Sequence, residues 1–312
     1  MIQFYKTRDF GELISVTFDF VQKYGRNYFK NFFIINGIFL ILILIIFWFG
    51  FGEILTQIFG SNLDGQDFFF EQYFTENQGV LIFAGIVVAI LFLLLSFVNY
   101  SFPVLYLKRM AETGETQISS HQMIEDIKAH ALRFITYFLA VLFILLPIFI
   151  LVGVFSAMLM MILIGFLIII FAMPVIMNIV NFTLFHHYNS STGIFEAIKY
   201  AFNIQFSKSF WKYWGSTIMI YLIINVVSSI LTFIPIFFVF GAAYANPAGF
   251  NPEEGSFYSI LVIVIYLLSF LLGVILINLI YINTGFMYYD SRKDLHRNIQ
   301  FSEIESIGKS EI

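Results

Sequence analysis

Residues 134–185 form a stretch of 52 without one charged side chain. As a single helix it would reach roughly 78 Å at ~1.5 Å per residue, more than twice the ~30 Å hydrocarbon thickness of a bilayer. Such a run must fold back. The segment LVGVFSAM, residues 151–158, supplies small residues for a tight turn, while Gly165 and Pro174 are alternative turn points or kinks. Four further charge-free runs, 31–52, 77–107, 213–252 and 255–289, can each hold a span of about 20 residues. Composition agrees: 60% of the 312 residues are apolar and 12% charged, against about a quarter charged in soluble domains. The sequence predicts an all-α polytopic membrane protein.

Charge placement decides how often the long run crosses. With six spans, residues 1–31, 108–133, 186–212 and 290–312 share one side and hold all 16 lysines and arginines. The other side holds segments 52–78 and 241–256, with seven acidic residues (Glu53, Asp64, Asp67, Glu71, Glu76, Glu253 and Glu254) and no basic one. Basic loops are retained in the cytoplasm, so both termini are expected there; the isoleucine- and phenylalanine-rich composition points to a bacterial source, and so to a bacterial inner membrane. Five spans would put basic loops on both faces. The amino terminus lacks a short apolar region followed by a small-residue cleavage site, so the first span is expected to direct its own insertion.

The expected organisation is three helical hairpins, each preceded by a cytoplasmic amphipathic interfacial helix. Residues 1–31 carry Phe10, Leu13, Ile14, Phe18, Val21, Tyr24 and Tyr28, with Phe32 beyond, at three- and four-residue spacing, and basic and acidic residues opposite. Asp9 with Glu12 has capping-box spacing. The first hairpin is 32–107, with the acidic external loop 52–78. Segment 108–133 repeats the capping spacing at Ser119 and Gln122, before Met123, Ile124, Ile127 and Ala131, and leads into the hairpin 134–185. Segment 186–212 carries Ile194, Ile198, Phe202, Phe206 and Phe210 and leads into the hairpin 213–289, with its external loop 241–256; 290–312 is a cytoplasmic tail.

The first and third of these segments also match each other. ELISVTF from Glu12 parallels EAIKYAF from Glu196, and YFKNF from Tyr28 parallels FWKYW from Phe210. This internal repeat reads as an anchoring device in which Tyr28, Phe29, Lys30, Phe210, Trp211, Lys212 and Trp214 set rings at headgroup depth and lysines toward phosphates. Stacking on nucleic acid is the alternative, but no basic groove accompanies the rings, so nucleic acid is not an expected partner.

No ionisable side chain falls within the proposed spans, which argues against a proton-coupled transporter. Asparagines do occur at depth: Asn36, Asn99, Asn178, Asn181, Asn225, Asn278 and Asn283. They read first as interhelical hydrogen bonds. The sharper reading gathers Asn178, Asn181, Asn225 and Asn278 into a polar substrate site, with Pro147, Pro174 and Pro235 kinking the helices around it. Adjacent His186 and His187 point about 100° apart on a helix and lack a third ligand, so no metal is expected. His121 and His130 read as a solvated face. The 52–78 loop lacks the glycine and terminal glutamate of an EF-hand and reads as an acidic loop with an aromatic edge. The chain has no cysteine, phosphate-binding glycine loop, nucleophile elbow or HExxH motif, so no cofactor and no enzymatic activity are expected.

The stretch FGELISVTFDFVQKYGRNYFKNFF leading into a span, echoed by GIFEAIKYAFNIQFSKSFWKYW, resembles the membrane domain that accompanies some glycerophosphoryl diester phosphodiesterases and related bacterial six-helix proteins. In that group the phosphodiesterase chemistry belongs to a separate soluble domain, which has no counterpart here, so the resemblance implies a membrane architecture without catalysis. The expected function is a non-catalytic scaffold or subunit of a membrane complex, with membrane lipids and other membrane proteins as partners. The alternative is a transporter or flippase-like carrier of neutral or lipid-like solutes. A third possibility is a regulatory partner of a cytoplasmic enzyme, docked through residues 291–312.

Overall fold

A computed structural model describes residues 2–60, 78–160, 163–245 and 252–292. Among these residues every regular element is helical: α1 (Phe10–Gly60), α2 (Gln78–Thr113), α3 (Ser120–Ala129), α4 (Ala131–Ala140), a π-helical turn (Val141–Leu145), α5 (Leu146–Leu159), α6 (Ile164–Asn189), α7 (Ile194–Gln205), α8 (Phe210–Ala245) and α9 (Pro252–Ser291). Six stretches are long and apolar enough to cross a membrane: Phe10–Trp48, Ile82–Thr113, Ala131–Leu159, Ile164–Asn189, Phe210–Ile234 and Ile260–Ser291. Large apolar side chains such as Phe83, Phe143, Leu151 and Phe233 are exposed on them. In water such coverage would be prohibitive, whereas lipid tails are as apolar as the side chains themselves.

Both capping boxes form. The Glu12 amide donates to Asp9 Oδ1 (2.7 Å) and the Asp9 amide to Glu12 Oε2 (3.1 Å). Ser119 and Gln122 exchange the same pair of bonds at the start of α3. These bonds satisfy amides that a helix start leaves orphaned. Helix α7 instead starts on Gly193 without a side-chain cap, and the Thr192 hydroxyl pairs with Ser190.

The first amphipathic segment and the first span are one helix. No break separates residues 10–31 from those that follow, and α1 continues through residues 52–60, where Glu53 is the one charge in an apolar sequence. The covered face is also rotated from the expected stripe. Leu13, Tyr28 and Phe32 are buried, but so are Val16, Thr17, Phe20 and Asn31, while Phe10 and Phe18 are exposed. Thr17 and Asn31 turn inward because their polar atoms find partners there. The third segment differs from the first: α7 ends at Gln205, and Ser207 and Ser209 make a turn before α8, closed by the Phe210 amide on Ser207 O (3.0 Å). On α7 the covered positions are Ala197, Ala201 and Gln205, and the two small alanines let it lie close against α6, with Phe206 exposed.

The long charge-free run does fold back, later than residues 151–158, which lie inside α5. α5 ends at Leu159, and α6 starts after Leu163, whose φ of 61° is left-handed. A Cβ on Gly165 would stand 2.0 Å from Ser156 O, so only glycine allows α6 to leave the turn against α5. Pro147 explains the π turn: it cannot donate to residue 143 and its ring would crowd that carbonyl, so the preceding turn widens. Pro103 and Pro174 lie inside α2 and α6.

The chain divides into two compact units whose boundaries fall within four of the helices. The first comprises residues 1–32, 100–222 and 278–312, and its core is aromatic. Phe20, Tyr28, Phe32, Phe102, Tyr106 and Phe286 are fully buried, with T-shaped contacts such as Tyr28 on Tyr106 (4.9 Å). The second comprises residues 33–99 and 223–277 and centres on Leu40, Ile43 and Leu95, packed by Phe39, Phe47, Leu91, Phe270 and Val274. The acidic residues Asp64, Asp67, Glu71 and Glu76, the middle of the 241–256 loop and the tail from residue 293 lie outside the described residues.

Candidate functional site

Polar side chains within the first unit form two buried groups. The first is built around Asp290, near the end of α9 and almost wholly inaccessible. Its Oδ1 accepts the Arg8 amide (2.6 Å), and its Oδ2 accepts both Lys212 Nζ (2.6 Å) and the Tyr213 hydroxyl (2.6 Å). Lys212 also donates to Arg8 O (2.9 Å). The Arg8 side chain is buried as well. Its guanidinium donates to the carbonyls of Phe4 (3.0 Å), Lys6 (3.2 Å) and Gln3, and lies 5.3 Å from the Phe286 ring centre. Burial draws the Arg8 guanidinium below its ordinary value, opposed by Asp290 and Glu12; an arginine starting so high stays charged. Segment 2–9 is thus wrapped around its own arginine and tied to α8 and α9. With three donors closed on it, the Asp290 carboxylate is a charge-assisted anchor.

The second group is made of asparagines. Asn283 Nδ2 shares its two N–H groups among Leu13 O (3.2 Å), Thr17 Oγ1 (3.0 Å) and Ser216 Oγ (2.9 Å), and its Oδ1 lies 3.2 Å from the Ser216 hydroxyl, joining α9 to α1 and α8. Asn278 accepts from the Tyr28 hydroxyl (2.7 Å), and Asn178 from the Thr217 hydroxyl (2.6 Å). Each bond crosses between helices, which is the role first expected of these residues. The four asparagines of the sharper reading are not all in one unit: Asn178, Asn181 and Asn278 are buried in the first, while Asn225 is exposed in the second. Among the described residues, Asn99 Oδ1, Asn178 Nδ2 and both side-chain atoms of Gln205 are buried amide atoms without a hydrogen-bond partner.

The ring anchors split between surface and interior. Lys30 and Trp211 are exposed; Phe29, Phe210 and Trp214 are half-buried. Trp214 Nε1 donates to Phe171 O (2.9 Å), and its ring lies 5.2 Å from that of Phe171. Tyr28 is fully buried, leaving its ring no face for lipid. Lys212, expected to reach a lipid phosphate, instead turns to Asp290, a fixed carboxylate within its reach. His186 stacks on Tyr200 at 3.8 Å, and His187 Nε2 lies 2.9 Å from the Thr136 hydroxyl. Among the described residues no group of three or more metal-ligating side chains comes together.

Sequence spacing missed Asp290, Arg8 and the hub role of Asn283. The one local sign was Asp290 itself, the acid that ends a 35-residue charge-free run. Asn283→Leu is expected to destabilise the protein by about 1–2 kcal/mol, the range of interhelical bonds in bilayers, because the Thr17 and Ser216 hydroxyls lose their shared partner. Thermal unfolding in detergent measures it.

Six apolar helices of spanning length define a multi-pass membrane protein of the all-α class. No protein-family model, curated protein or solved structure matches the chain.

Proposed function

We propose that this protein is a non-catalytic scaffold or subunit of a membrane complex in a bacterial inner membrane, its six spans arranged as three hairpins with both termini in the cytoplasm. The observation that carries the reading is the use of its buried polar groups: Asn283, Asn278, Asn178 and Asp290 are engaged in bonds between elements of the protein itself. That is the chemistry of a rigid frame. Lys23, Arg26 and Lys30 stand exposed along α1, as do Lys128 on α3 and Lys199 on α7. Each basic residue near an anionic leaflet contributes about 1 kcal/mol of attraction. The resemblance to phosphodiesterase-associated membrane domains fits a frame that works beside a separate partner.

Two experiments test this. The chain has no native cysteine, so Asp64→Cys and Lys23→Cys can be probed separately with an impermeant thiol reagent in intact cells. Asp64→Cys is expected to react and Lys23→Cys to be protected; the reverse pattern inverts the topology. Mild-detergent purification from the native host is expected to return a stoichiometric membrane partner, and recovery of this chain alone removes the scaffold reading. The unpartnered Asn178 Nδ2 and Gln205 amide favour the second reading, a carrier of neutral or lipid-like solutes. On that reading Asn178→Leu abolishes flux in liposomes, whereas a scaffold tolerates it.

A further inference from the structure

A cavity of ≈ 210 Å³ with charged side chains in its walls opens in the first unit, where the charge-free run of α2 ends. α2 lines it with Leu105, Lys108, Arg109 and Glu112; Asp126 comes from α3, and His130 follows that helix. These walls are held in place. Arg109 grips Asp126 through two parallel bonds, Nε to Oδ2 (2.8 Å) and Nη2 to Oδ1 (2.9 Å), which fixes α3 against α2. Lys108 Nζ donates to the Tyr188 carbonyl (2.9 Å) and keeps two further N–H groups. His130 Nδ1 lies 2.8 Å from the Asp126 carbonyl, which can only accept, so that nitrogen carries the proton and Nε2 is the ring's other polar atom. The ring stacks on Tyr188, with centroids 5.6 Å apart and planes 13° apart.

The remaining charge has a pattern. Arg109 pairs with Asp126 and, at 3.7 Å, with Glu115, which leaves Lys108 and Glu112 as the charged groups of the cavity wall with no ion pair among the described residues. One positive group held by a protein bond and one exposed negative group, a turn apart on α2, complement a ligand carrying a phosphate and an ammonium. We infer that this cavity binds a phosphoethanolamine group, with the phosphate on Lys108 and the ammonium on Glu112. The position favours a lipid source, since Leu107 ends the apolar run and Lys108 begins the polar segment, the depth at which headgroups lie. That part rests on the reading of α2 as a membrane span. Because Lys108 and His130 are already fixed by protein bonds, little side-chain freedom is lost on binding.

The full chain, purified in detergent, is tested by native mass spectrometry against phosphatidylethanolamine, phosphatidylglycerol and phosphatidylcholine. Phosphatidylethanolamine is expected to bind about tenfold more tightly than the other two, the worth of an ammonium–carboxylate bond, since a glycerol hydroxyl brings no positive charge and a quaternary ammonium no N–H. Glu112→Gln should erase that preference with the thermal midpoint unchanged, since Glu112 is exposed and makes no ion pair or side-chain hydrogen bond among the described residues. Lys108→Gln should weaken all three lipids. Equal retention of the three, unaltered by Glu112→Gln, overturns the inference. Soluble O-phosphoethanolamine separates the sources. Displacement of the lipid by it at comparable concentration assigns the same chemistry to an aqueous ligand, and retention of the lipid assigns it to the bilayer. If α2 does not span, binding of the soluble compound survives while lipid preference is lost; if the cavity is not a site, both are absent.

Discussion

Asp290→Ala is expected to lower stability by about 3–5 kcal/mol, the usual cost of removing one partner from a buried ion pair. The substitution strands the Lys212 ammonium, the Tyr213 hydroxyl and the Arg8 amide together. It should therefore release segment 2–9, and the readout is specific: trypsin, which passes over a buried arginine, should cut after Arg8 in the variant. A second variant separates charge from packing. Asp290→Leu combined with Lys212→Met removes both charges and should recover part of the thermal midpoint, because no buried charge of the pair is left unmatched, while the Tyr213 hydroxyl and the Arg8 amide still lack their acceptor. Parental stability and an uncut segment in Asp290→Ala would show that the carboxylate anchors nothing.

The second large effect concerns the fold-back of the long apolar run. Gly165→Ala is expected to lose folded protein altogether or to cost about 1–3 kcal/mol or more, as overpacking does when rigid neighbours cannot yield. The obstacle is backbone: the new Cβ would lie 2.0 Å from Ser156 O and 2.6 Å from Met160 N. Gly153→Ala is the control, in open space on α5; it should be neutral or stabilise the helix by up to about 1 kcal/mol. Size-exclusion yield and thermal midpoint in detergent measure both variants. Equal behaviour of the two would mean that α5 and α6 do not meet as closely as described.

How far the chain could be read before its fold was known depends on the range of the interaction concerned. Six spanning helices follow from charge-free length, a property of neighbouring residues, and both capping boxes follow from three-residue spacing. The turn after α5 was harder. Its left-handed residue is Leu163, which carries no local signal, and the informative glycine lies beyond it as one of three alternatives. Helix faces were partly misread because apolar stripes were assumed to mark the covered side. On α1, Thr17 and Asn31 are covered because distant residues supply partners, and on α7 smallness at Ala197 and Ala201 decided the packing rather than hydrophobicity. The Asp290 anchor was beyond such reading: its partners lie 282, 78 and 77 positions away in the chain. Lys212 looked like a lipid anchor because its neighbours in sequence are aromatic.

The π turn at Val141–Leu145 carries a consequence for the ancestry of this chain. Ala140 and Leu145 are both covered although five positions separate them, a step that an ordinary helical repeat would turn away from the interior. A bulge of this kind is one residue accommodated without disturbing the flanks, so a homologue shorter by one between 140 and 145 keeps Phe134 and Tyr137 on the same side as Leu145 in an unbroken helix. Gaps of one residue at this place, when kindred sequences are aligned, are then geometric bookmarks of the bulge rather than errors of alignment.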